Sequence, residues 1–294
     1  MGLPIYNGAR HAKQCIESLL DQDFEDFRII ISDNASTDAT SEICLHYAAH
    51  DSRIEYRRNA TNIGLAANFN LVFGLCRSKY FRWATADDFV SRDMLSDAVR
   101  VMEDDSGLAL CYPRARFVDS TGTDIAPWSD SLHLMQKDPV DRFKAVLSGI
   151  GRVHHHLGLM RSAIVRRTGL FSKHVASDTV LIAELSLYGR FYQIPRYQFF
   201  RRLHEGSSSW APTSETHQAR LYHPTDIDRI PFNRWRLHGR LIHVVAQSPL
   251  ATVDRLRAFA WLVRRAIWDR EALSAELRAE VGLAMGLGDN RIRE

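Results

Sequence analysis

The stretch "IIISDNASTDAT", residues 29–40, runs three isoleucines into Ser32, Asp33 and Asn34. A second apolar run, "YFRWATADDFV", meets the adjacent pair Asp87 and Asp88. A connecting loop needs turn formers, but it does not need a carboxylate at the tip of a buried strand. In open α/β sheets that tip is where ligands sit. Adjacent residues of an extended segment point to opposite sides, so one aspartate can face a divalent cation while its neighbour accepts a hydrogen bond from a sugar hydroxyl. Hard oxygen ligands in small number suit Mg2+ or Mn2+ held mainly by the phosphates of a ligand. The same acids can instead cap the turns that follow them.

The elements that must position these acids read as an alternation. "GLPIY", "FRIIIS", "RIEYRR", "KYFRWA" and "LALCY" are short apolar strands, and amphipathic helices fall between them, the first through Ala12, Cys15, Ile16, Leu19 and Leu20. Asp38 is placed to cap the second helix. Repeated strand–helix alternation predicts an α/β fold with a mostly parallel central sheet flanked by helices. The middle third predicts a hairpin arm over "ARFVDSTGTD", a helix over "DTVLIAELSLYG" and two strands, "RFYQIP" and "YQFFRRLH". Residues 205–214, "EGSSSWAPTS", predict a surface loop, and beyond about residue 222 the chain reads as helical and rich in arginine and tryptophan.

Composition narrows the class. The 294 residues are 45% hydrophobic and 25% charged, ordinary values for a globular protein, and the net charge of +3 is too small to argue for nucleic-acid binding. No run approaches 18 apolar residues, and the N-terminus lacks the pattern of a signal peptide. Cys15, Cys44, Cys76 and Cys111 are widely spaced within apolar patterns, so free buried thiols in a reducing, cytoplasmic compartment are expected. Neither a GxGxxG nor a Walker lysine is present.

Three segments in this order, "GLPIYNGARHAKQCIESLLDQDFEDFRIIISDNASTDAT", "NIGLAANFN" and "YFRWATADDFVSRDML", resemble family 2 glycosyltransferases of the GT-A fold, over roughly residues 2–210. The resemblance implies a GT-A domain over residues 1–215, with a donor-binding half to about 112 and an acceptor half from 113, followed by a helical C-terminal extension over 216–294. It implies an inverting, metal-dependent sugar transfer from a nucleoside-diphosphate sugar to a saccharide or lipid-linked acceptor, in cell-surface glycan or glycolipid synthesis. Pro4, Tyr6 and Asp33 would hold the donor base, with Asn62 also on the donor side. A tyrosine ring can stack on a pyrimidine and a carboxylate can accept its N3–H, which favours UDP- or dTDP-sugars. The family's metal motif falls on Thr85–Asp88, with threonine in the leading position where an acid is commoner. Asp88 is assigned to Mn2+ or Mg2+, and Asp87 to the ion or the ribose. Asp178, at the start of a helix, would be the base that takes the acceptor's proton, although an aspartate there also caps helices. Arg202 is a candidate for the diphosphate and His204 for the metal.

Two other features and two other functions are weighed. "HHH", His154–His156, reads as a solvated loop rather than a zinc site, because no cysteine or glutamate sits at metal spacing. In "RLRAFAWLVRRAIWDR", Leu256, Phe259, Ala260, Val263 and Ile267 form an expected core stripe. Arg257, Trp261, Arg264 and Trp268 form a second stripe that suits either a peripheral contact with the inner membrane face or cation–π packing in solvent. A non-catalytic sugar-nucleotide-binding module is the alternative that Thr85 keeps open. A nucleotidyltransferase is disfavoured because no basic glycine-rich loop follows the first strand.

Overall fold

The computed structural model describes residues 1–128, 131–151, 154–204 and 232–285. The β-branched run of β2 (Ile29–Asp33) is buried along its whole length, as a strand covered on both faces must be. It lies between β1 (Gly2–Ile5) and β3 (Ile54–Arg58) in a three-stranded parallel sheet. Crossovers α1 (Ala9–Leu20), α2 (Thr40–His50) and α3 (Leu65–Gly74) connect and cover these strands. On the free side of β1, Gly2 pairs with Trp83 in parallel sense, and the Gly2 amide donates to the Arg82 carbonyl at 2.9 Å. The carboxyl ends of β2, β1 and the segment through Ala84 therefore emerge along one edge. Asp33, Tyr6 and the turn Thr85–Asp88 share that rim.

A second, mixed sheet continues the fold. Its order is β4 (Tyr80–Phe81), β8 (Leu159–Arg161), β6 (Leu108–Val118), β9 (Arg190–Arg202) and β5 (Phe89–Val90), with β7 (Asp124–Pro127) paired to β6. Only β6 and β9 run parallel; the remaining pairs are antiparallel. The expected hairpin arm is β6–β7. The strand expected over "KYFRWA" shortens to two residues, because its continuation bridges to β1 instead. The two strands expected over residues 190–204 are one. Pro195 does not break β9, because a bulge there takes it out of register with β6 between Ile194 and Tyr197.

Around the sheets pack α4 (Met94–Asp104), α5 (Pro139–Gly149), the short α6 (Ser162–Val165) and α7 (Ser177–Tyr188). The described C-terminal part is helical: α8 (Asn233–Gln247), α9 (Thr252–Trp268) and α10 (Arg270–Ala284). The boundary expected at 215/216 and the loop expected over 205–214 lie outside the described residues. Among the described residues no helix is long and apolar enough to cross a membrane. All four cysteines are free and buried.

Two expectations are corrected. Leu256, Val263 and Ile267 are 63%, 60% and 56% exposed, so the expected core stripe of α9 faces outward. The helix docks through Ala258 and Leu262, with Trp261 edge-on to Phe143. Arg257 pairs with Asp138, and Arg265 donates to the Leu147 carbonyl. The small alanine permits close approach, and the two arginine anchors fix the rotation of the helix. His154, His155 and His156 are all buried. A 3-10 turn over His155–Leu157 turns all three inward, which no regular strand or helix would do. Their rings pack on Tyr112, Trp128 and Phe171. Burial holds His155 well below the usual histidine range and His156 at about 3, so both pack as neutral rings.

The corner between α7 and β9 gives a packing test. Gly189 has an ordinary extended backbone (φ −170°), yet a Cβ there would lie 2.9 Å from the Ala109 backbone nitrogen and 3.0 Å from the Gly107 carbonyl. Those atoms cannot swing away. Gly189→Ala is expected to destabilise the protein by about 2 kcal/mol through overpacking. A thermal melt of the variant beside wild type measures it.

Candidate active site

Asp33 is enclosed by its own loop. Its carboxylate is sealed from solvent, and Oδ1 accepts the Ser36 N–H at 2.9 Å. Oδ2 accepts from Ser41 Oγ at 2.5 Å, Tyr56 Oη at 2.9 Å and Arg58 Nη1 at 3.3 Å. Burial alone would raise its pKa, but these hydrogen bonds overcome that and hold the carboxyl below the usual range. Four protein donors already occupy the oxygens, so a base N3–H would have to displace one of them. Asp38 ties the same loop to α1: Oδ1 accepts from the Thr40 amide at 3.0 Å and Oδ2 from the Ala9 amide at 3.2 Å.

Beside Asp33 lies a network of amides. Asn34 donates to Asn62 Oδ1 at 2.7 Å and accepts from Asn59 Nδ2 at 3.1 Å and from the Ile63 amide at 2.9 Å. Asn68 donates to the Ser32 carbonyl at 2.9 Å. The Asn34 amide ties this network to β1 by donating to the Ile5 carbonyl at 2.8 Å; Tyr6, the next residue along, is 47% exposed, while Pro4 lies buried within β1.

The Asp87–Asp88 turn is clamped from behind. Arg202 is 2% exposed, and its side chain donates to the carbonyls of Asp87 (2.9 Å), Asp119 (3.1 Å) and Ser120 (3.0 Å) and to Gln14 Oε1. The guanidinium expected on a diphosphate is therefore spent on main-chain carbonyls. The Arg202 amide donates to Asp88 Oδ1 at 2.9 Å, and the Thr85 hydroxyl donates to Asp88 Oδ2 at 2.5 Å. Burial raises the Asp88 carboxyl above its ordinary value. Asp87 stays open, its side chain 40% exposed and Oδ1 3.4 Å from His204 Nε2. His11 of α1 stands 5.1 Å from the His204 ring, and desolvation holds it at about 4.

Asp178 occupies the first turn of α7, just after Ala176, which adopts left-handed backbone (φ 64°). Ala35, in the Asp33 loop, is left-handed too (φ 62°). One Asp178 oxygen accepts the Thr179 amide at 2.8 Å, and burial pushes the carboxyl up. The approach to Asp178 is tied to α3, because Asn70 exchanges two hydrogen bonds with the Phe171 backbone, at 2.8 and 3.0 Å. The charge of Arg201, a residue the sequence reading passed over, is felt by both Asp178 and Asp88. That charge opposes the rise of both carboxyls, and the Arg201 guanidinium lies 5.0 Å over the Trp128 ring. The signal was available in "FFRRLH": neighbours on a strand face opposite sides, so only one of the two arginines can back the turn.

The residues present fit a divalent cation held mainly by a ligand's phosphates. Among the described residues no three histidine, cysteine or acidic side chains converge as a protein-only cage. Asp87 offers an open carboxylate, and His204 Nε2 is a buried nitrogen without a hydrogen-bond partner. One or two protein ligands completed by phosphate oxygens is the usual arrangement for Mg2+.

Comparison with known proteins identifies the family and the fold. The profile of "Glycosyl transferase family 2" matches residues 2–168, more than half of the chain. "Chondroitin synthase" of Escherichia coli is 25% identical over 209 residues, which is 70% of this chain and 29% of that protein. "Putative glycosyltransferase EpsH" of Bacillus subtilis is 30% identical over 146 residues, 49% of this chain and 41% of that one. The chain thus spans well under half the length of these relatives. Among solved structures, S. aureus TarS 1-349 in complex with UDP superposes with a TM-score of 0.65 at 14% identity, covering 90% of this chain and 70% of that one. The mannosyltransferase PcManGT from Pyrobaculum calidifontis, in complex with GDP-Man and Mn2+, gives 0.53 at 18% identity, covering 96% and 74%. At such identities the likeness concerns the GT-A fold.

Asp33 gives a test of the rim. Because its folded pKa is depressed, its contribution is present at neutral pH and is lost as pH falls through the folded value. Asp33→Asn is expected to cost about 2 kcal/mol at pH 7. The gap in melting temperature from wild type should close as the pH drops below the ordinary aspartate value of about 3.9.

Proposed function

This chain belongs to glycosyl transferase family 2, and on that premise we propose that it transfers a sugar, with inversion, from a UDP- or dTDP-sugar to a hydroxyl of a saccharide or lipid-linked acceptor. The observation that carries the reading is the open Asp87 carboxylate, 40% exposed and 3.4 Å from His204 Nε2, on a turn clamped from behind by Arg202. That turn suits the donor's diphosphate, and Asp178, in the first turn of α7, suits the acceptor's hydroxyl.

In this reading Tyr6 stacks on the pyrimidine and the amide wall around Asn34 and Asn62 meets its polar edge. Asp33 holds that wall in place from within. Asp87 and His204 would hold Mn2+ or Mg2+; Asp88, expected on the ion, has both oxygens taken by Thr85 and the Arg202 amide and instead orients the turn that presents Asp87. When bound, the cation would supply Lewis-acid stabilisation of the departing diphosphate. Asp178 takes the proton from the acceptor hydroxyl, whose oxygen forms the new bond to the anomeric carbon as the bond to the diphosphate oxygen breaks. A carboxyl raised by burial is a stronger base than an exposed one, and Arg201 keeps it within reach of the ionised form. Arg201 also offsets charge gathering on the leaving group. Arg202 takes a structural part here, holding the turn. A non-catalytic binding module would need none of this arrangement around Asp178. Synthesis of a cell-surface glycan on the inner face of the membrane is the setting these assignments suit.

Two measurements test the proposal. Asp178→Asn is expected to bind UDP like wild type while losing turnover of a UDP- or dTDP-sugar by about a thousandfold. Equal turnover in the two forms would remove Asp178 from the chemistry, and stabilisation by GDP alone in a thermal-shift series with Mn2+ would overturn the base assignment. Activity should rise with pH through the Asp178 pKa, which burial places above the ordinary aspartate value. The acid limb of kcat/KM against pH is the readout.

A further inference from the structure

The outward face of the C-terminal helices is apolar over three elements at once. Trp235 and Ile242 of α8, Phe259, Val263 and Ile267 of α9 and Leu273 of α10 line one open groove of about 540 Å3. Ile242, Val263 and Ile267 are at least half exposed, as is Leu256 on the same side of α9. Patches of this kind on a water-soluble surface mark a contact with something else.

The surrounding charge says what. Residues 232–285 carry nine arginines and no lysine against five carboxylates, a net +4 where the whole chain has +3. All five of those acids are used within the helices, Glu271 with Arg270 at 3.7 Å. Glu276 accepts the amides of Arg234 and Trp235, and Glu280 that of Phe232. Asp254 pairs with Arg257, and Asp269 with Arg265 and His238. Arg236 and Arg264 are exposed beside the apolar stripes, and Arg270 lines the groove itself. A second copy of this face would bring like charges together. An anionic surface would neutralise them while covering the apolar side chains.

We propose that this face docks on an anionic lipid bilayer, with Leu256, Val263, Ile267 and Ile242 entering the interface and the flanking arginines meeting the head groups. The contacting face is not the arginine–tryptophan stripe singled out from the sequence. Two of its members are spent on the protein, Trp261 packing on Phe143 and Arg257 pairing with Asp138, while Arg264, stacked on the exposed Trp268 at 4.7 Å, is left at the edge of the apolar face. The inference does not depend on which sugar is transferred.

Co-sedimentation of the full chain with vesicles tests it. Binding is expected to vesicles of phosphatidylcholine with about one third phosphatidylglycerol, but not to phosphatidylcholine alone, and to weaken about tenfold or more in 0.5 M salt. The triple variant Leu256→Ser, Val263→Ser, Ile267→Ser and the pair Arg236→Glu, Arg264→Glu should each lose about tenfold or more in binding. Melting temperature and UDP binding should be kept in both. Wild type that ignores anionic vesicles, or variants that bind as wild type does, would overturn the proposal. So would self-association abolished by the triple variant without any vesicle binding, which would assign the face to a second copy. Because UDP binding is read separately, failure here leaves the glycosyltransferase reading standing.

Discussion

The site depends on one buried guanidinium. Arg202 has given up nearly all its water, a loss that only a dense set of acceptors can offset. It finds them in the carbonyls of Asp87, Asp119 and Ser120 and in Gln14. These acceptors come from three separate stretches: the acidic turn, the hairpin turn just after β6, which supplies two of them, and α1. Satisfying one cation therefore fixes the acidic turn against both sheets. The backbone amide of the same residue then holds Asp88. Nothing in the amino-acid alphabet but arginine reaches so many carbonyls from one position.

The two halves of the site are built on different principles. The side carrying Asp33 is a rim of loops at the carboxyl ends of parallel strands, stiffened by the separate hydrogen-bond sets of Asp33, of Asp38 and of the asparagines. The opposite side rests on an aromatic and imidazole floor, where His155 and His156 are kept neutral by burial and pack as rings. The Asn70–Phe171 pair of hydrogen bonds joins the halves and ties the loop before Asp178 to α3. Asp178 is carried by the first turn of α7 and the Asp87–Asp88 turn is clamped by Arg202 of β9, so a helix and a strand hold the two acidic sites.

Much of this was legible in the sequence, for a physical reason. The continuous β-branched run Ile29–Ile31 reads as a strand covered on both faces and the apolar spacing of Ala12 to Leu20 as one helix face, so the strand–helix alternation, and with it the expectation of a shared rim for Asp33 and Asp87–Asp88, followed from pattern. What escaped was decided by tertiary contacts. Pro195 reads as a strand break unless the partner strand shows that a bulge absorbs it. Helix α9 carries apolar residues on two faces, and only the anchors at Asp138 and Leu147 choose between them. Three consecutive histidines look solvated until Tyr112, Trp128 and Phe171 are seen to surround them. The saturation of Asp33 by Ser41, Tyr56 and Arg58 likewise depends on residues up to 25 positions away. Between Arg201 and Arg202 the choice lay in strand parity, a signal that was present and unused.

Ala35 and Ala176 hold left-handed backbone without being glycine (φ 62° and 64°), one in the Asp33 loop and the other just ahead of Asp178. Each methyl costs about 1 kcal/mol in that conformation. Glycine would remove the cost, but it would also open the rest of conformational space to the unliganded loop. With alanine, the alternatives are narrowed before any substrate arrives. Less ordering is then left for the binding event to supply, and a larger share of the contact energy survives as affinity.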